Sequence, residues 1–82
     1  MKITSPDSLA KALQDVRVLK GLTQQETAQR VGIKQATVSA FENYPERSRV
    51  ETLFKLMAAL GLELHVAERG DSQAPPAWDE EW

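Results

Sequence analysis

The stretch "IKQATVSAFEN", residues 33–43, holds side chains suited to reading another molecule by hydrogen bonds rather than to breaking covalent ones. Gln35 offers an amide donor beside a carbonyl acceptor, the pair that can meet the edge of adenine bidentately. Ala36 and Thr37 carry methyl groups that can touch the methyl of thymine. Ser39 and Ala40 are small enough to let a helix backbone come close to a groove. Lys34, beside the start of the run, can reach a phosphate or a guanine, and Asn43 adds a second side-chain amide at its end. Normally solvated helix faces carry Glu and Lys; this one is small, polar and lightly charged, as a face in contact with nucleic acid would be.

Other chemistry is sparse. His65 stands alone, without a serine, cysteine or acidic pair at a useful spacing, so neither a catalytic base nor a metal site is expected of it. The chain has no cysteine, which excludes a disulfide framework and a cysteine zinc site. No nucleophile–base pair and no phosphate-cradling glycine loop is present, so neither an enzyme nor a cofactor is expected. Trp78 and Trp82 are a different matter. They lie among acids in "GDSQAPPAWDEEW", a segment rich in turn formers and without periodicity, which reads as a disordered tail over 70–82. Such tails are poor in aromatics, and a buried Trp can anchor a partner interface. The neighbouring acids would suit a basic pocket.

Four helices are needed to position the reading residues. Ser5 is a plausible cap for the first, with Pro6 at its first position and Leu9, Leu13 and Val16 on one face; Lys20 and Gly21 close it. Thr23 and Glu26 have the capping-box spacing and open a short second helix, with Gln24 at its N-terminus placed to hold a phosphate. Gly32 ends that helix, and the third begins three residues later and is expected to stop before Asn43 and Pro45. Ser48 and Glu51 repeat the capping-box spacing ahead of a fourth helix. Its buried stripe is expected to run Val50, Leu53, Phe54, Met57, Leu60, with Gly61 as its cap. Two short helices joined around a glycine make the helix-turn-helix layout, whose second helix lies in the major groove.

After Gly61 the period falls from 3.6 to 2. Leu62, Leu64 and Val66 alternate with Glu63, His65 and Ala67, as in a half-buried strand. No other segment reads as a strand, so its expected mate is the same strand of a second copy across a two-fold axis. A chain of this size buries only about 60–65% of its unfolded surface, which also favours a homodimer.

Charge is unevenly placed. The net charge is −2, but all ten Lys and Arg lie in residues 1–69 against eight acids, a formal +2; the other four acids fall within 70–82. The expected division is a mildly basic DNA-binding and dimerisation domain over 1–69 and an acidic tail. The start "MKITSPDSLAKAL" lacks the apolar core of a secretory signal, and no apolar run approaches the length of a membrane span. No membrane partner is expected, and the cytoplasm is the plain location.

"GLTQQETAQRVGIKQATVSAFEN" closely resembles the Xre/Cro-type helix-turn-helix. With "SPDSLAKAL" ahead of the first helix, a strand after the fourth and a tail ending in "EW", the arrangement is similar, over essentially the whole chain, to the HipB-type antitoxins that partner HipA-type kinases. That resemblance implies an all-α fold of four helices, with one C-terminal strand pairing across a homodimer. It implies binding to palindromic operators upstream of its own operon, and binding to a HipA-type serine/threonine kinase with a Trp contact from the tail. Lys34, Gln35, Ala36 and Ser39 match the family's operator-contacting segment. Arg17 and Glu42 match a pair that ties the first helix to the end of the third. Thr27 departs from the pattern where relatives have an apolar residue, and Ala40 where they often have a larger polar one. Two other readings stand beside this one: a stand-alone Xre-type repressor without a toxin, and a protein-binding adaptor that does not touch DNA.

Overall fold

The computed structural model describes residues 2–69 of the 82-residue chain. They form α1 (Pro6–Leu19), α2 (Gln24–Arg30), α3 (Gln35–Asn43), a single 3₁₀ turn (Pro45–Arg47) and α4 (Val50–Leu60). Trp78, Trp82 and the expected tail lie outside the described residues.

The caps show why the helices start where they do. Ser5 caps α1 by accepting from the Ser8 N–H at 3.1 Å, and Ser8 Oγ accepts from the Ser5 N–H at 3.3 Å. Thr23 and Glu26 close the same loop on α2, at 3.0 and 2.9 Å. Because the Thr23 backbone N–H donates to it, and the Thr23 side chain adds to this, the Glu26 carboxyl titrates below its ordinary value; Arg30 helps less, and slight desolvation opposes. A carboxyl whose pKa is depressed by folding contributes stability that is present above the unfolded pKa and lost as pH falls through the folded one. Thermal melts from about pH 6 to pH 3 should therefore show wild type losing more stability on acidification than Glu26→Gln. Equal acid sensitivity would show that the charge on Glu26 adds nothing to the cap.

Ala10 and Leu13 of α1, Ala28 of α2, Val38 and Phe41 of α3, and Leu56, Met57 and Leu60 of α4 meet in one core. Thr27 is fully buried there, yet its hydroxyl donates to the Thr23 carbonyl at 2.9 Å, so the polar atom is satisfied. Gly32, between α2 and α3, has φ +70°, a conformation that costs an L-residue roughly 1–2 kcal/mol.

Three expectations need correction. First, α3 includes Asn43, because the Tyr44 N–H still reaches the Ala40 carbonyl at 2.7 Å and only Pro45 ends the run. Second, no capping box joins Ser48 to Glu51; Arg49 is the N-cap of α4, without a side-chain cap bond. The 3₁₀ turn draws the Ser48 N–H back to the Pro45 carbonyl, and the first helical bond of α4 is accepted by Arg49.

Third, the buried stripe of α4 runs Leu53, Leu56, Met57, Leu60 and leaves Val50 and Phe54 outside, at 67% and 51% exposure. Val50, Phe54 and Ala58 are spaced by four and share an adjacent, exposed face of the helix. Residues 62–68 pair with nothing within the single chain, and no strand occurs among the described residues. Leu62 packs on the core, while Leu64 and Val66 stay exposed. The chain alone supplies no second strand, so the expected pairing depends on another copy.

Candidate nucleic-acid interface

The amino end of α3 lies against that of α2, and a chain of side-chain hydrogen bonds joins them to α1. Arg17 of α1 donates from Nε to Glu42 Oε2 at 2.7 Å and from Nη2 to Oε1 at 3.1 Å, a bidentate pair. Its Nη1 donates to the Leu22 carbonyl at 2.7 Å, tying the α1–α2 turn to the same point. Only 12% of the Arg17 side chain and 6% of the Glu42 side chain is exposed. The structural role expected for this pair is what the geometry shows. Removing one partner of a pair this buried costs about 3–5 kcal/mol, because the other charge is left unmatched.

Glu42 has a third donor. Gln24 gives its Nε2 to Glu42 Oε1 at 2.9 Å, and its Oε1 accepts from Gln35 Nε2 at 2.6 Å. Gln24 is therefore half-held by the fold, with one N–H left over that could reach a phosphate. Gln35 is exposed, and so are its neighbours Lys34 and Ala36.

Ala40 is exposed too, whereas Thr37 and Ser39 are half-buried. Asn43 turns back on its own helix, donating from Nδ2 to the Ser39 carbonyl at 2.9 Å and to Ser39 Oγ at 3.2 Å. What remains free on Asn43 is an acceptor. All the candidate reading residues thus lie on α3 or at its amino end, with Gln24 beside Gln35.

Sequence reasoning missed part of the rim. Ser48 and Thr52 line a shallow depression with Ala36, Thr37, Ala40, Arg47 and Arg49. On the other side, Gln25 and Gln29 of α2 border a groove with Gln24, Lys34 and Gln35. Arg47 lies over the Tyr44 ring at 5.5 Å from its centroid, which restrains its guanidinium near the end of α3. Ser48, read only as a helix cap, gave no signal of this position.

Among the described residues Lys34, Arg47 and Arg49 form no salt bridge, so their charge is available to an anion. Those residues also contain no group of three or more His, Cys, Asp or Glu able to hold a metal, and no helix long and apolar enough to cross a membrane.

A helix-turn-helix family model (HTH_3) matches residues 13–66, which span all of α2, α3 and α4. Over its length the chain is similar to antitoxin HipB of Escherichia coli O6:H1 (strain CFT073), 42% identical over 83 positions that cover 99% of this chain and 88% of that one. Similarity to antitoxin HipB of Escherichia coli strain K12 is 45% identity over 67 positions, 82% of this chain and 76% of the other. Among solved structures, the HipB-like chain of a HipA-HipB-O2-O3 complex superimposes with a TM-score of 0.83 at 43% identity, covering 84% of this chain and 97% of that one.

Proposed function

We propose a function on the premise that this chain belongs to the helix-turn-helix family and, within it, to the HipB antitoxins. As a two-fold dimer it binds a palindromic operator, represses its own toxin–antitoxin operon, and binds and neutralises a HipA-type serine/threonine kinase. It works by binding in the cytoplasm, and no catalytic step is assigned to it. The observation that carries the DNA reading is the exposed Gln35 amide, oriented by a buried ion pair through Gln24, beside a helix face of small side chains. That face lets α3 enter the major groove. Lys34, Arg47 and Arg49 meet phosphates at its rim, and the Gln24 N–H left over adds another such contact.

The two α3 helices of a dimer would lie about 34–36 Å apart, one turn of the duplex. Affinity then depends on dimer formation and falls with salt. Kinase binding rests on family membership and on Trp78 and Trp82. A repressor without a toxin would share the DNA face but have no use for them.

The test pairs two measurements. In a selection from randomised duplexes, the protein should enrich a palindrome, and Gln35→Ala with Ser39→Ala should lower the preference for it over random duplex by about 5- to 150-fold, the range one bidentate base contact supports. Non-specific affinity should hardly change. An adaptor would enrich nothing, and the double substitution would then have no discrimination to remove. Co-purification from the native host should recover a HipA-type kinase; its absence would leave the stand-alone repressor as the better reading.

A further inference from the structure

We infer that Glu42, which faces no base, decides which base Gln35 reads, by fixing the direction of two side-chain amides in series. The inference rests on the reading that α3 reads base edges, and it adds a positioning residue to that site.

A carboxylate only accepts hydrogen bonds, whereas an amide has a donating and an accepting end. Arg17 occupies both Glu42 oxygens, with Nε on Oε2 and Nη2 on Oε1, and the Glu42 side chain is 6% exposed, so the carboxylate is fixed at the base of the series. Gln24 can meet Oε1 only with its NH₂ end, as it does at 2.9 Å. Its carbonyl oxygen must then point the other way, and Gln35 can meet that oxygen only with its own NH₂ end, as it does at 2.6 Å. Turning either amide would set oxygen against oxygen or NH₂ against NH₂.

This direction determines what Gln35 has left. One N–H is committed to Gln24; one N–H and the carbonyl oxygen remain. A donor beside an acceptor complements adenine, which shows an N7 acceptor and an N6 donor in the major groove. Guanine shows two acceptors there, N7 and O6, and would need two donors. Were the series reversed, Gln35 would give its oxygen to Gln24 and present both N–H groups outward, the arrangement that suits guanine.

Glu42→Gln replaces this all-acceptor anchor with a two-sided one, and its single oxygen can take either place. Where that oxygen faces Nε, its NH₂ end faces Gln24, which must turn, and Gln35 turns after it; where it takes the Oε1 place, which serves both Arg17 Nη2 and Gln24 Nε2, the series keeps its direction. Gln24→Met cuts the series instead and leaves the Gln35 amide free to rotate.

The experiment uses full-length protein and the duplex selected from a randomised library, with the Gln35-facing position of each half-site varied. Wild type should prefer adenine over guanine by about 10-fold or more, and Gln35→Ala should abolish that preference. Glu42→Gln should bring the two bases within about 3-fold or invert them, with affinity for random duplex retained, and Gln24→Met should relax the preference without inverting it. A purely structural Glu42 would lower the melting temperature and weaken all duplexes alike, and an unchanged adenine-to-guanine ratio in Gln24→Met overturns the inference. Should Glu42→Gln fail to fold, Gln24→Met decides. If Gln35→Ala keeps the full preference, the assignment of Gln35 to base reading fails first, and the series fails with it.

Discussion

Phe54→Asp is expected to convert the proposed dimer to a monomer and to weaken operator binding by about two to four orders of magnitude, while α1 to α4 stay folded. Phe54 is 51% exposed, Val50 on the same helix face 67%, and Leu64 and Val66 of the following segment 51% and 75%. Phe54, Met57, Ala58, Leu62 and Leu64 together line one shallow depression. Apolar side chains scattered singly over a surface need no explanation, but a row running from a helix face onto the adjoining segment marks an interaction surface. The two-fold dimer proposed here covers it with its own image.

An aspartate at its centre would set two carboxylates against apolar surface and against each other, whereas in the monomer it would face water. Operator affinity falls because two half-sites on one rigid dimer act at high effective concentration, and a monomer loses that gain without losing any single base contact. Light scattering and operator titration test both halves, with circular dichroism confirming retained helix. A variant that stays dimeric would place the interface elsewhere. A monomer that binds the palindrome as tightly as wild type would remove the dimer from the mechanism.

The same residue shows where sequence reading reached its limit. Periodicity identifies a helix with an apolar stripe, and α4 is such a helix, but it does not distinguish a stripe facing its own core from one facing another chain. Leu53, Leu56, Met57 and Leu60 turn inward; Val50 and Phe54 are equally apolar and turn out. Local signals did better, because caps and glycines act within a few residues. Ser5, the Thr23–Glu26 pair and Gly32 lie where their types and spacings place them.

Ser48 misled for the converse reason. Its spacing to Glu51 suits a capping box, yet the 3₁₀ turn started by Pro45 uses its N–H first. At the reading face, residue types along α3 were legible from the stretch itself, and the Arg17–Glu42 pair from family resemblance. The direction of the Gln24–Gln35 hydrogen bond was not, since it depends on which end of α2 meets the buried carboxylate. That contact spans 18 positions in sequence.

A chain ending at Arg69 is expected to keep its operator and lose most of its kinase. Removing residues 70–82 deletes both tryptophans and four acids, and takes the formal net charge from −2 to +2. For DNA the change is favourable in sign, because four charges that repel phosphates are gone. The slope of affinity against salt should hold, since Lys34, Arg47 and Arg49, the cations proposed to meet phosphates, remain. For the kinase the change is unfavourable. A tryptophan buried in a partner's pocket carries about 2–4 kcal/mol when truncated, roughly 30- to 900-fold in affinity, and the acids beside it speed encounter with a basic site.

Trp82→Ala separates the two contributions. It leaves every charge in place, so a loss equal to that of the whole truncation would put the binding energy in the ring, and a smaller loss would divide it with Trp78 and the acids. Titration of purified kinase against the three proteins measures this directly. Equal affinity for all three would move the kinase contact onto the helical body.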